Sequence, residues 1–106
     1  MATHGKSLFH LSIAVDDLAR AKAFYLEALG CTAGRETKGR FDINFFGHHV
    51  VAHYAPREAG RAPGAIESDG DVAPLRHFGV ILPLDDWRVM EQRLKDQDIE
   101  FTLSPR

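Results

Sequence analysis

From Phe9 the chain reads Phe-His-Leu-Ser-Ile-Ala-Val. Leu11, Ile13 and Val15 fall on one side of an extended strand, and His10, Ser12 and Ala14 fall on the other. This predicts a strand over 8–15. Past Asp16 and Asp17, either of which suits a helix cap, the period changes: Leu18, Ala21, Phe24, Tyr25, Ala28 and Leu29 make one helical stripe that Gly30 closes. A weak strand is expected over 31–37, a turn at Lys38-Gly39, and a clearly alternating strand over 41–46. There Phe41, Ile43 and Phe45 share one face, and Asp42, Asn44 and Phe46 the other. Gly47 and His48 form a tight connection into a fourth strand over 49–55. Its rows are His49, Val51 and His53 on one side and Val50, Ala52 and Tyr54 on the other.

The opening pattern then returns. Setting His77 over His10 places Phe78, Val80 and Leu82 over Leu11, Ile13 and Val15, and Asp85-Asp86-Trp87 follows as Asp16-Asp17-Leu18 did, with two residues inserted. A repeat this long is a duplicated supersecondary module rather than a solenoid. Trp87, Met90 and Leu94 predict the buried stripe of a helix from Asp85 or Asp86 to about Lys95, and a strand is expected over 99–103. The stretch 56–74 is rich in Gly, Ala, Pro and charge and shows no periodicity. It reads as a linker or site-covering loop, because connections inside a compact domain rarely exceed ~12–15 residues.

The expected organisation is therefore one domain over 1–106. A strand-helix-strand-strand-strand module spans 8–55, a linker 56–74, and an incomplete second module 75–106 that stops after strand, helix and strand. The class is α+β: paired βαβββ modules forming a curved mixed sheet around a cleft, with helices on the outer face. A sheet two strands short leaves an open edge, so the expectation is a shortened chain or a partner chain, most simply a second copy, that covers the gap.

Charge and composition narrow the partners. A net charge of −2 gives no electrostatic case for nucleic acid or an anionic membrane. No long apolar run or hydrophobic leader is present, and Cys31 is the single cysteine, which together suggest a reducing compartment, most simply the cytoplasm. Histidine is abundant, with six in 106 residues. His4 lies in a polar lead-in and carries no expected role. His10 and His77 occupy equivalent positions of the repeat, opposite its apolar row.

The paired modules resemble the vicinal oxygen chelate superfamily. The resemblance is carried by Phe9-His10-Leu11-Ser12-Ile13-Ala14-Val15-Asp16-Asp17-Leu18, by the helix end Phe24-Tyr25-Leu26-Glu27-Ala28-Leu29-Gly30, and by His77-Phe78-Gly79-Val80. That superfamily holds glyoxalase I, extradiol dioxygenases, fosfomycin-resistance enzymes and bleomycin-resistance proteins. The resemblance implies one divalent metal with open positions, bound by a histidine from the first strand of each module and a glutamate from the last. His10 and His77 carry over directly. The first-module glutamate position falls at or near His53, in Val51-Ala52-His53-Tyr54, and the second-module glutamate would lie on a strand this chain lacks. An open nitrogen and oxygen site of this kind suits Fe, Mn, Ni, Co or Zn and chelates two neighbouring oxygens of a small substrate.

His49, Asp42, Asn44 and Phe46 are the expected substrate-facing residues, and Arg40 and Arg76 stand at strand ends where an anionic group could be held or simply solvated. No general base is named by the sequence. Cys31, Tyr25 and Trp87 read as packing residues and the paired aspartates as helix caps. The resemblance thus implies a divalent-metal-dependent glyoxalase- or dioxygenase-type enzyme, cytoplasmic and homodimeric. The alternatives are a non-catalytic small-molecule or antibiotic-binding protein of the bleomycin-resistance type, and an incomplete regulatory relative without chemistry.

Overall fold

A computed structural model describes residues 7–60 and 64–101. The alternating segments of the first module pair as one mixed sheet: β1 (His10–Val15), β2 (Thr32–Thr37), β3 (Arg40–Phe45) and β4 (His48–Tyr54), in the order β1-β4-β3-β2. β1 runs parallel to β4, while β3 is antiparallel to both of its neighbours. Because side chains alternate along each strand, one sheet face collects Phe41, Ile43, Phe45, Val50 and Ala52, all buried, with Leu11, Ile13 and Val15 packed against them. Phe41, Ile43 and Val50 are fully buried, and each such side chain stabilises the fold by about 1.5–3 kcal/mol.

That face needs a cover, and the segment after β1 supplies it. Asp17 caps α1 (Leu18–Lys22) by accepting a hydrogen bond from the Arg20 backbone N–H at 3.0 Å. The helix then widens into a π-helix over Ala23–Ala28, where the Leu29 N–H donates to the Phe24 carbonyl at 2.9 Å. Ala21, Tyr25 and Leu29 pack on the sheet, and Gly30, at φ 78°, turns the chain out of the helix.

The carbonyls exposed at this helix end are satisfied from the far end of the chain. From α3 (Leu84–Asp96), Arg93 donates through Nε to the Ala28 carbonyl at 2.7 Å and through a terminal nitrogen to the Glu27 carbonyl at 2.8 Å. Gln97 adds a bond to Glu27 at 3.2 Å. A cation at a helix C-terminus also opposes the helix dipole favourably. Gly30 makes room for this latch, since a Cβ there would lie 3.1 Å from the Arg93 guanidinium carbon.

Several sequence expectations are corrected. The β3–β4 turn is Phe46–Gly47, with both residues at positive φ (52° and 89°), so β3 ends at Phe45 and β4 begins at His48. The stretch taken as a linker contains α2 (Pro56–Ala59) and a hairpin of β5 (Gly64–Ser68) and β6 (Asp71–Leu75), turned at Asp69-Gly70. Residues 77–82, expected as a strand equivalent to β1, have no regular structure, and neither do 99–101; the remainder of the expected last strand lies outside the described residues. The physical reason is pairing. β1 has β4 to satisfy its backbone, whereas no described strand offers the same to 77–82. The α3 stripe of Trp87, Met90 and Leu94 is only half-buried. No helix among the described residues is long and apolar enough to cross a membrane.

The Arg93 latch yields the first testable outcome. Arg93→Ala should lower the unfolding free energy by about 1–2 kcal/mol, as expected for partly exposed charge-assisted bonds, and Arg93→Lys should recover less than half of it, because an ammonium does not span two carbonyls as the guanidinium fork does. Urea unfolding followed by circular dichroism reads both.

Candidate functional site

Opposite the apolar face, the same register assembles a polar one. His10 stands across from His49, Ser12 from Val51 and Ala14 from His53. β3 adds Asn44 beside His49, Asp42 beside Val51 and Arg40 beside His53. At its centre the Nδ1 atoms of His10 and His49 are 2.9 Å apart, with ring centroids separated by 4.7 Å and planes tilted by 46°. The Ser12 hydroxyl lies 3.5 Å from His10 Nε2. Asp42 Oδ2 is 3.5 Å from His49 Nε2, and both side chains are largely shielded, at 17% and 25% exposure.

A carboxylate only accepts, so the field of Asp42 favours the His49 proton on Nε2 and leaves the Nδ1 lone pair toward His10. The Asp42–His49 contact is too long for a full hydrogen bond, and Asp42 Oδ1 and His49 Nε2 are both buried without a hydrogen-bond partner. Unsatisfied polar atoms of this kind are rare in native structures and mark a place of chemical interest.

Of the residues singled out by sequence, His10, His49 and Asp42 are brought together, and Ser12, which sequence reasoning passed over, joins them. Its signal was its place two residues from His10 on the same strand face. His53 shares that face but lies four residues beyond His49, about 13 Å along the strand at ~3.3 Å per residue, so it and His10 do not meet. His77 sits outside any strand. Its Nδ1 donates to the Pro74 carbonyl at 2.6 Å, which leaves the lone pair on Nε2, and it lines a cavity of about 590 Å³ with Ser12, Ala14, Arg76 and Phe78. Among the described residues no group of three or more His, Cys, Asp or Glu is placed to hold a metal.

Asn44 accepts the Gly47 N–H at 2.8 Å and so holds the turn. Phe46, expected on the polar side, instead packs against the apolar core and stacks edge-on to Phe45 at 4.9 Å, because its left-handed backbone takes it out of the strand alternation. His48 accepts the Phe9 N–H at 3.1 Å. Cys31 and Tyr25 are packing residues: burial pushes the Cys31 thiol above its usual range, against smaller lowering effects from the Phe46 backbone and Arg93, and burial pushes the Tyr25 phenol up, with Cys31 adding to it.

Residues 7–106 match the sequence profile of the Glyoxalase/Bleomycin resistance protein/Dioxygenase superfamily. Among solved structures, the chain is similar to a glyoxalase/bleomycin resistance protein/dioxygenase from Alicyclobacillus acidocaldarius, at 31% identity and a TM-score of 0.72, covering 95% of this chain and 72% of that one. It shares its fold with an integron cassette protein from the mobile metagenome of V. cholerae, at 21% identity, and with a structure from the mobile metagenome of V. pseudocholerae, at 20%. Each has a TM-score of 0.56, with 95% of this chain and 74% of the other covered. No curated protein matches the chain.

The raised Cys31 thiol has a direct readout. Alkylation of the folded protein by iodoacetamide at pH 8 should run slower than that of the urea-unfolded chain, because only the thiolate reacts, and should accelerate as the pH passes above the ordinary thiol range. Equal rates folded and unfolded would show an accessible thiolate.

Proposed function

Because the chain belongs to the Glyoxalase/Bleomycin resistance protein/Dioxygenase superfamily, we propose that it is a divalent-metal-dependent enzyme that binds a small substrate through two neighbouring oxygens on the polar face of its sheet. The observation that carries this reading is the His10–His49 pair, two imidazole nitrogens 2.9 Å apart on a strand face backed by a shielded carboxylate. Such donors suit Fe, Co, Ni or Zn. A bound divalent ion supplies Lewis-acid polarisation of substrate oxygens.

The chain's own residues divide the remaining work. His10 holds the metal from the first module. His77 is proposed as the second-module ligand, and its Nδ1 bond to the Pro74 carbonyl is the support that orients a ligating imidazole through Nε2. The Ser12 hydroxyl, beside His10, is placed to bond a substrate oxygen. Arg40, half-buried beside His53 on the polar face, supplies positive charge for an anionic substituent.

A homodimer belongs to this reading. β1 lies at the edge of the four-stranded sheet, and Phe9, Phe78, Val80 and Ile81 are exposed apolar side chains around one cavity of about 330 Å³, a surface that a second copy would cover.

Metal content measured by elemental mass spectrometry, on protein purified without a histidine tag, tests the reading. The expected result is near-stoichiometric Fe, Mn, Ni, Co or Zn that is lost in a His10→Ala, His77→Ala double variant. Less than about a tenth of an equivalent, persisting after incubation with each metal, would contradict it, given that open catalytic sites of this donor type retain their ion.

A further inference from the structure

At the far end of the polar face, four residues along β4 from His49, Arg40 and His53 stand opposite each other in the β3–β4 register. We infer that these two side chains form an anion subsite for the carboxylate of a short aliphatic monocarboxylic acid, whose hydrocarbon chain lies over Val51. The inference rests on the reading that the substrate occupies this face and names that substrate's chemical class; it requires no metal.

The register decides which groups meet. Arg40 is across from His53 in one strand pair and from Thr37 in the other, and side chains placed opposite on one face have Cβ atoms ~4.5–5.5 Å apart. The row therefore gathers a guanidinium, an imidazole and a hydroxyl, and no carboxylate. Arg40 and His53 are both half-buried, and among the described residues neither side chain has a hydrogen-bond or ion-pair partner. The acidic side chains closest in sequence are engaged elsewhere. Glu36 stands across from Phe41 on the opposite face and is paired with Lys22, and Asp42 lies 3.5 Å from His49. A guanidinium drawn partly out of water without an acceptor loses hydration that nothing in the sheet returns. A bound anion supplies the acceptor.

Charge and shape select the anion. One guanidinium fork matches one carboxylate in bidentate fashion, whereas a phosphate monoester carries a charge of about −1.5 to −2, and Arg40 is the one cation of its row. Two residues along β4 from His53, Val51 is only 3% exposed although it belongs to the polar face, and Ala14 stands across from His53 on β1. These two side chains give a hydrocarbon chain an apolar floor. Ser12, across from Val51, lies one row further on, ~6.6 Å at ~3.3 Å per residue, so an acid of a few carbons held at Arg40 presents its other end to the Ser12 hydroxyl.

The test is a heteronuclear NMR titration of chelator-treated protein with isobutyrate, with its uncharged isostere isobutyramide and with inorganic phosphate. It compares the wild type with Arg40→Gln, Arg40→Lys, His53→Ala and Lys38→Gln, the last removing an exposed cation from the adjoining turn; the spectrum of each variant without ligand verifies its fold. Expected is saturable displacement of the Arg40 Nε–H, Ala14 and Val51 signals by isobutyrate, with isobutyramide and phosphate binding at least about tenfold more weakly. Affinity should fall about tenfold or more in Arg40→Gln, recover in part in Arg40→Lys because an ammonium lacks the fork, fall by less in His53→Ala, and stay unchanged in Lys38→Gln. Undiminished binding in Arg40→Gln or His53→Ala, equal binding of the amide or of phosphate, an equal loss in Lys38→Gln, or no saturable shift at all overturns the assignment. Because the titration is done without metal, its outcome is separable from the metal-content measurement: a protein that takes up no metal yet binds isobutyrate through Arg40 keeps this assignment and loses the metal-enzyme reading, and a metal-loaded protein without the anion response does the reverse.

Discussion

Parallel pairing of β1 with β4, from His10 opposite His49 to Val15 opposite Tyr54, decides what each face of the sheet carries. In this register Leu11, Ile13 and Val15 join Phe41, Ile43, Val50 and Ala52 on the face that the first helix covers. The same register brings His10 and His49 together on the other face, and the pairing of β3 with β4 sets Asp42 beside His49. A slip by one residue would turn every side chain of β1 over, exposing the aliphatic row and burying His10. The core therefore enforces the site: the burial of Phe41, Ile43 and Val50 that stabilises the sheet is inseparable from the geometry of the imidazole pair.

Much of this first module was legible in the chain. Period-2 alternation marked the strand faces up to Phe45, the Asp16-Asp17 pair the helix start, with Asp17 the one that caps, and Gly30 its stop, because the burial pattern is strong there. Less visible was which β4 histidine meets His10. His49 and His53 share a face, so alternation treats them alike, and only the pairing register, a tertiary property, separates them. Phe46 misled for a related reason. Its place at an alternating position pointed to the polar face, but a turn conformation at φ 52° ends the alternation one residue earlier.

The second copy of the repeat teaches the opposite lesson. His77-Phe78-Gly79-Val80 carries the same pattern as β1, yet pattern alone does not make a strand without a neighbour to bond. One tie between this half of the chain and the first is a contact that no periodicity reveals, the Arg93 guanidinium seated on the Ala28 and Glu27 carbonyls; another is the Phe78 ring, packed edge-on against Phe45 at 5.5 Å. Likewise the Asp69-Gly70 turn, a strong hairpin signal by its residue types, lay in a stretch whose flanking segments lacked alternation.

The geometry of the polar face is tested most directly by a crystal structure of the Ni(II)-loaded protein with anomalous data collected at the nickel edge. The expected result is a single peak within about 2.0–2.2 Å of a ring nitrogen of His10 and of His77. Nickel bound away from both histidines, or no ordered nickel at all, would contradict it.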